Sequence, residues 1–197
     1  MEAKPRPLLI VLSGPAGAGK TTVAEEIRRQ MGIERSISAT TRQPRPGEAD
    51  GRDYFFISEE EFARRAARGE FLEHAMVHGH RYGTPRGPIE EALGRGEPRL
   101  LVIDVQGAMQ VKEAFPEALL IFLDAPDDAL EERMAKRGSE TRDEREARRQ
   151  QAQLERSYKE HYDFYVVNDN LQDTVARIRH FITDRTKPGE RRQSLNG

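Results

Sequence analysis

The sequence has no cysteine, little net charge and no long apolar run. The absence of cysteine from 197 residues excludes disulfides, thiolate zinc sites and cysteine nucleophiles, and it fits a cytoplasmic protein. No stretch approaches the ~18 apolar residues of a transmembrane helix. The formal charge is −2, so we expect no binding of nucleic acid or of a membrane surface through bulk charge. Lysine is also scarce: arginine supplies most of the 32 basic residues, which favours bidentate contacts to carboxylate or phosphate.

Short apolar runs alternate with charged stretches of helical length. This order is typical of an α/β fold, in which helices cover both faces of a parallel sheet. The predicted core strands are Leu8–Leu12, Arg99–Ile103, Ala118–Leu123 and Phe164–Val167. The predicted core helices are Lys20–Met31, Ala108–Ala114, Asp127–Arg137 and Leu171–Asp184.

Residues 36–88 differ from this pattern and predict an inserted subdomain. Short polar strands are predicted at Ile37–Thr40, Tyr54–Ile57 and Phe71–Val77, with one helix at Ser58–Arg68. Residues 137–160 are almost entirely polar, so this helical piece has little apolar surface to pack, and we expect a mobile lid region over 127–160. The core then comprises 1–35, 89–126 and 161–197, with a disordered tail from Lys187.

Residues 14–21, GPAGAGKT, match the phosphate-loop pattern G-x-x-x-x-G-K-[ST] between a predicted strand and a predicted helix. In such a loop the backbone N–H groups converge on phosphate oxygens, and the helix N-terminus adds its dipole. We expect Lys20 to reach the β- and γ-phosphates of a nucleotide, and Thr21 to bind Mg²⁺. The loop residues predicted to bind ATP are Gly14, Pro15, Ala16, Gly17, Ala18, Gly19, Lys20, Thr21 and Thr22.

The apolar run from Leu100 ends in the acid Asp104, as in a Walker B strand. We expect Asp104 to contribute to the Mg²⁺ site, directly or through water. A plain turn is the alternative, because Asp is also a good turn residue.

Several segments closely resemble guanylate kinases. They are SATTRQPRPGE at 38–48, GRDYF at 51–55, EFLE at 70–73, YGT at 82–84, IDVQG at 103–107, RG at 137–138, Arg148 and VND at 167–169. They occur in the family's order and spacing from about residue 7 to 184. The resemblance implies a P-loop NTPase core with an inserted GMP-binding subdomain and a helical lid. It also implies the reaction ATP + GMP ⇌ ADP + GDP with Mg²⁺, in purine nucleotide metabolism, with dGMP as a further acceptor.

The same resemblance implies a GMP site whose chemistry suits its residues. Arg42 and Arg45 can fork onto a doubly charged monophosphate. Glu73 can accept hydrogen bonds from both N1–H and N2–H₂ of guanine, whereas adenine would turn a lone pair toward it. The implied GMP-binding residues are Ser38, Arg42, Arg45, Tyr54, Glu73, Tyr82, Thr84 and Asp104.

Arginines of the lid complete the implied catalytic set. Positive charge placed beside the transferred PO₃ group stabilises the transition state of phosphoryl transfer. The resemblance gives this role to Arg137 and Arg148. It gives Arg133 a weaker phosphate contact, and it places Asn168 near the adenine. Surface ion pairing with neighbouring glutamates is the alternative for the arginines. The catalytic residues implied are Lys20, Arg42, Arg137 and Arg148.

Two positions depart from the family. Ala16 stands where serine is common, which removes a hydroxyl beside the phosphates but leaves the backbone amides. Val102 stands where an acid is frequent, which leaves guanine recognition more dependent on Glu73. Two other functions remain open: a related kinase of another nucleotide or of ribose bisphosphate, and a guanylate-kinase-like module that binds phosphopeptides. Such modules typically have a degraded phosphate loop, and here it is intact. The sequence leaves monomer and homodimer undecided.

Overall fold

The computed structural model describes residues 8–77, 79–130 and 142–186. Its strands are β1 (Leu9–Ser13), β2 (Glu34–Arg35), β3 (Ala39–Thr40), β4 (Phe55–Phe56), β5 (Phe71–Val77), β6 (His80–Pro85), β7 (Arg99–Val102), β8 (Leu119–Asp124) and β9 (Phe164–Val167). Its helices are α1 (Lys20–Met31), α2 (Glu59–Ala67), α3 (Arg86–Gly94), α4 (Val105–Ala114), α5 (Arg142–Ser157) and α6 (Leu171–Thr186), with a 3-10 turn at Lys159–His161. Residues 127–130 begin a further helical segment. The predictions for Arg133, Arg137 and the tail from Lys187 concern positions outside the described residues.

Five strands form the parallel sheet that the apolar runs predict. Their order is β2-β7-β1-β8-β9, and each neighbouring pair is parallel. The α/β fold class is therefore confirmed. Because β1 lies in the centre, the loop that follows it opens at the carboxyl edge of the sheet, beside the ends of β7 and β8. Ligands bind at this edge in open α/β sheets.

Both faces of this sheet are buried, which explains its continuous apolar strands. Ile10 and Leu12 of β1 face a core cluster shared with α1 and α6. Leu9 and Val11 point the opposite way, into a second cluster with α3 and α4. This alternation follows from the two-residue period of a strand. Within the described residues, no helix is long and apolar enough to cross a membrane.

A second, four-stranded sheet occupies the region of different composition. Its order is β4-β3-β6-β5, with β6 antiparallel to both β3 and β5. Phe62 of α2 stacks on Phe71 of β5, with the ring centroids 4.5 Å apart, and both side chains belong to a small core of their own. Helix α2 begins where Ser58 Oγ accepts a hydrogen bond from the Glu61 amide, 3.1 Å away. This cap satisfies a backbone donor of the first turn.

The structure corrects several predicted boundaries. The strands predicted at Ile37–Thr40 and Tyr54–Ile57 shorten to β3 and β4, and helix α4 begins at Val105 rather than at Ala108. Strands β2 and β6 and helix α3 were missed. Strand β6 has Gly83 and Pro85 within six residues, both unfavourable in strands, and pairing with β5 and β3 overrides this composition.

Candidate functional site

The phosphate loop follows β1 and leads into α1. Gly17 and Gly19 have φ angles of 88° and 91°, which other residues rarely adopt. Gly19 is the residue at which α1 begins, so the turn that presents the helix N-terminus depends on a glycine. The Lys20 ammonium donates hydrogen bonds to the backbone oxygens of Gly14 and Pro15. Lys20 therefore lies across the loop, at its open end.

Two residues from other elements, Leu123 and Asn168, pack against this loop. A Cβ on Gly14 would overlap the carbonyl of Leu123 in β8, so this position requires glycine for close approach as well as for its φ of 136°. Asn168, after β9, is buried, and its side-chain amide donates to the Ala18 carbonyl at 2.8 Å. The structure thus places Asn168 against the back of the loop. Among the other loop residues, Ala18 is buried, whereas Ala16, Thr21 and Thr22 are exposed.

Asp104 links the phosphate loop to the second sheet. It is the N-cap residue of α4, and its Oδ1 accepts a hydrogen bond from the Gly107 amide at 2.8 Å. Asp104 can therefore act as a turn residue that caps α4 and also offer a carboxylate oxygen to Mg²⁺. Burial raises the pKa of Asp104, while the Gly107 amide and the charge of Lys20 oppose the rise. Val102, two residues earlier, is partly buried against the core.

The residues expected to contact guanine form one chain of hydrogen bonds, in which Glu73 and Thr84 are buried and Ser38 is partly buried. Thr84 donates to the Glu73 carboxylate at 2.6 Å, and the hydroxyls of Thr84 and Ser38 lie 3.2 Å apart. The three come from β5, β6 and the approach to β3, which pair side by side. Glu73 is only 3% exposed. Burial raises its pKa to about 7, with a further increase from Asp104 and a partial decrease from the Thr84 hydroxyl.

Gly107 makes this position of Glu73 possible. A Cβ at residue 107 would overlap Glu73 Oε2 and would lie 3.0 Å from Cδ. Helix α4 and β5 therefore approach closely at this point, and a side chain other than hydrogen would displace the carboxylate. The resemblance included Gly107 only as part of a motif, and the sequence gives no sign that it borders Glu73.

The residues expected to bind the monophosphate also converge. Arg42 Nε donates to the Tyr82 hydroxyl at 3.2 Å, and the guanidinium carbon lies 5.5 Å from the centre of the Tyr54 ring. Tyr54 and Tyr82 meet edge to face at 5.9 Å. Glu48 pairs with Arg42 at 3.0 Å and accepts from the Arg45 backbone amide at 2.8 Å. Arg45 itself is exposed.

Glu48 also belongs to this site, although the sequence did not predict it. It was quoted only as the end of the 38–48 segment. In the structure its carboxylate forms an ion pair with the guanidinium of Arg42, and the Arg42 side chain is only 10% exposed. Arg42 is therefore held in one orientation by Glu48 on one side and Tyr82 on the other.

The structure describes the predicted lid region in part. Residue 148 lies within α5; nothing further of Arg148 belongs to the described structure. The last turn of α5 contacts the core through Arg156, whose guanidinium forks onto Asp124 at 2.9–3.1 Å and reaches Asp127 at 2.7 Å. Asp124 is the final residue of β8, next to the strand that precedes the phosphate loop.

Comparisons with known proteins show the family of the chain. The guanylate kinase family model matches residues 6–185. A guanylate kinase from Fusobacterium nucleatum is 48% identical over 91% of this chain and 97% of its own length, and one from Thermotoga maritima is 45% identical over 86% and 83%. The crystal structure of guanylate kinase from Anaplasma phagocytophilum superposes with a TM-score of 0.77 at 34% identity, covering 93% of this chain and 88% of that one. Shikimate kinase from Acinetobacter baumannii, at 15% identity and a TM-score of 0.53, shares the fold. The chain belongs to the guanylate kinase family, in which ATP phosphorylates GMP.

Proposed function

We propose that this chain transfers the γ-phosphoryl group of ATP to GMP through two adjoining sites. The donor phosphates bind the loop 14–21 at the edge of the parallel sheet, and GMP binds the inner side of the second sheet. The observation that carries the proposal is the Glu73–Thr84–Ser38 chain of hydrogen bonds, beside the cationic Arg42 that follows β3. A carboxylate for guanine and a guanidinium for phosphate are the two groups that one molecule of GMP requires.

Guanine supplies the donors that this carboxylate lacks. Glu73 accepts one hydrogen bond from Thr84 and can accept others from the base, because an ionised carboxylate has about four lone-pair positions. Burial makes an unmatched ligand costly, since a base with a lone pair facing Glu73 would leave buried acceptors unpaired. The site therefore favours binding of guanine over adenine.

The acceptor phosphate meets Arg42, Arg45, Tyr54 and Tyr82 in this proposal. Glu48 balances the charge of Arg42 in the free protein and holds its planar fork in place. A guanidinium has five donors, and two of the Arg42 nitrogens already serve Tyr82 and Gln43. Phosphate binding therefore adds to, or replaces part of, the contact with Glu48.

Phosphoryl transfer then depends on charge and position rather than on covalent chemistry. Lys20 leaves its carbonyl acceptors for the β- and γ-phosphates, and Arg137 and Arg148 supply positive charge to the moving group. Thr21 and Asp104 are the residues that would hold Mg²⁺, since both present oxygen at the loop and Asp104 interacts electrostatically with Lys20. When bound, the ion neutralises charge on the β- and γ-phosphate oxygens.

A coupled ADP-release assay across acceptor nucleotides tests the proposal. We expect kcat/KM to decrease in the order GMP, IMP, AMP, because IMP keeps N1–H but lacks the exocyclic amine. Sites that bind a polar substrate group can reject analogues without it by as much as ~10⁴–10⁵. We expect dGMP to be accepted. Glu73→Gln removes one acceptor and turns a donor toward guanine, so it should impair the use of GMP substantially.

Two outcomes would contradict this assignment. One is AMP or a pyrimidine monophosphate used within tenfold of GMP. The other is a Glu73→Gln enzyme with unchanged GMP kinetics. Glu70→Gln is a matched control, because Glu70 lies near Glu73 in sequence but pairs with Arg65 at the surface.

A further inference from the structure

The inner side of helix α5 is charged rather than apolar. Leu154 is 56% exposed, whereas its neighbour Glu155 is only 8% exposed. A helix that packed for its own stability would turn these residues the other way round. The last turn of α5 therefore places a carboxylate, and not a leucine, against the core.

Arg156 accounts for the rigidity of this turn. It bridges Asp124, Asp127 and the Ala125 carbonyl. These contacts lie at the carboxyl edge of the parallel sheet, and they fix the orientation of the helix at Glu155. They do not neutralise Glu155, since Arg156 is occupied by other acceptors.

Glu155 has one satisfied and one unsatisfied oxygen. Oε1 accepts a hydrogen bond from Gln151 at 3.0 Å, while Oε2 is buried without a hydrogen-bond partner among the described residues. Burial raises the pKa of Glu155, and the charge of Lys20 opposes that rise. The carboxylate is thus within electrostatic reach of the phosphate loop.

Two more unsatisfied oxygens belong to the same neighbourhood. They are the hydroxyls of Ser13, the last residue of β1, and of Tyr162; in the part of the chain that the structure describes, neither makes a well-formed hydrogen bond. Burial raises the pKa of Tyr162; the adjacent Ser13 hydroxyl lowers it, and the charges of Asp104 and Glu155 raise it further. Ser13 and Tyr162 have only each other at poor geometry, and Glu155 Oε2 has no hydrogen-bond partner among the described residues. This is unusual, because buried polar atoms are nearly always paired.

The chemistry of these atoms indicates what pairs with them. All three are oxygens. Glu155 interacts electrostatically with Lys20 and Asp104, and Tyr162 with Asp104 and Glu155. Mg²⁺ gives up water reluctantly, so in proteins it keeps several waters and contacts one or two carboxylates together with substrate phosphates. Waters on the cation are hydrogen-bond donors, which is what a buried carboxylate needs.

We propose that Glu155, aided by the hydroxyls of Ser13 and Tyr162, binds the outer hydration shell of the Mg²⁺ that accompanies the donor nucleotide. This inference rests on the proposed function, because it presumes a nucleotide on the phosphate loop. Glu155 contacts metal-bound water and leaves direct coordination to Thr21, Asp104 and the phosphates. The covering helix α5 is then held to the donor site by the metal as well as by Arg156.

Calorimetric titration of ADP, with and without Mg²⁺, tests this role without any turnover. In the wild type, Mg²⁺ should strengthen ADP binding. In Glu155→Gln, that metal-dependent gain should shrink about tenfold, because a hydrogen bond to a charged group contributes roughly 1.5–3 kcal/mol. Binding of ADP without metal should stay within twofold or become tighter, since a negative charge near the phosphates is removed.

The controls separate a metal role from a structural one. Glu160→Gln, an exposed glutamate beyond the end of α5, should leave both affinities unchanged. Tyr162→Phe and Ser13→Ala should each reduce the metal-dependent gain by two- to threefold, and they serve if Glu155→Gln does not fold. Equal losses with and without Mg²⁺, or an unchanged gain in every variant, would overturn the proposal. Failure of the wild type to phosphorylate GMP would instead contradict the proposed function, which this binding experiment does not measure.

Discussion

Glu73 lies close to the midpoint of its titration at neutral pH. Burial raises its pKa to about 7, so in the free site Glu73 takes up a proton near neutral pH. Guanine offers only donors to this carboxylate, so bound GMP favours the ionised form and lowers the pKa. Proton release and GMP binding are therefore coupled.

We predict that GMP binds more tightly as the pH rises from 6 to 8, with release of a proton below about pH 7. Calorimetry at pH 6.5 in buffers of different ionisation enthalpy measures this release. The phosphate of GMP also titrates in this range, so the Glu73→Gln variant is the reference: it keeps the phosphate contribution and lacks the Glu73 contribution. Identical proton release in the two proteins would show that Glu73 is already ionised before GMP binds.

A second prediction concerns Gly107. Gly107→Ala places a Cβ against the Glu73 carboxylate, which must then move away from Thr84. We expect KM for GMP to rise at least tenfold, about the effect of losing one hydrogen bond to a charged group, while KM for ATP stays within twofold. Gly94→Ala is the matched control, because a Cβ at Gly94 meets nothing within 4 Å. An unchanged KM for GMP would mean that Glu73 does not contact the base.

At the scale of elements, the proposed function assigns the loop between β1 and α1 to the donor and the sheet β4-β3-β6-β5 to the acceptor. Lys20 donates to the loop carbonyls of Gly14 and Pro15, whereas the Arg42 cluster lies beside the second sheet. We predict that Lys20→Ala abolishes phosphoryl transfer but keeps GMP affinity within a few-fold. Calorimetry with GMP measures the affinity. Loss of GMP binding together with activity would contradict the existence of two separate sites.

Arg148 lies within helix α5, and we predict that it contributes to catalysis. Arg148→Ala should lower kcat on the order of 10³-fold with a much smaller change in KM for GMP, because its charge is needed as the phosphoryl group moves. The same is expected of Arg137→Ala. Arg149→Ala, an exposed neighbour on α5, is the control of equal charge. A kcat within twofold of the wild type would place Arg148 among the surface ion pairs instead.

For the whole molecule, the contact between α5 and β8 matters to stability. Asp124 is buried and receives hydrogen bonds from Arg156 and from the Tyr165 hydroxyl at 2.9 Å. Arg156→Met leaves this carboxylate without its cation, and breaking a buried pair costs ~3–5 kcal/mol. Because Tyr165 still donates, we expect the lower end, about 3 kcal/mol, and a decrease in Tm of roughly 6–12 °C.

Thermal unfolding of two variants checks this prediction. Arg29→Met removes an exposed ion pair with Glu26 and should change the free energy of unfolding by less than about 0.5 kcal/mol. If both substitutions lower Tm equally, the Arg156 contact is no stronger than a surface ion pair.

The sequence predicts the core well and the second sheet less well, for a physical reason. Strands buried on both faces are continuous apolar runs, so β1 and β8 appear within one residue of their predicted bounds. Strands β3 and β4 have two residues each, and β6 contains Gly83; only their neighbours make them strands. The individual members of the GMP site followed from a family resemblance. The close approach of Gly107 to Glu73, and the electrostatic interaction of Glu155 with Lys20, join residues distant in sequence, and no local pattern encodes them.

The end of strand β8 also determines how the molecule responds to deformation. Leu123 is in contact with Gly14 of the phosphate loop, and the next residue, Asp124, holds Arg156 of α5. Two consecutive residues thus contact both sides of the proposed donor site: the phosphate loop, which forms its floor, and helix α5, which covers it. A shift of this strand within the sheet carries floor and cover along together, so their alignment tolerates thermal fluctuation of the core. A single insertion between Leu123 and Asp124 would break that alignment while leaving both halves of the site intact.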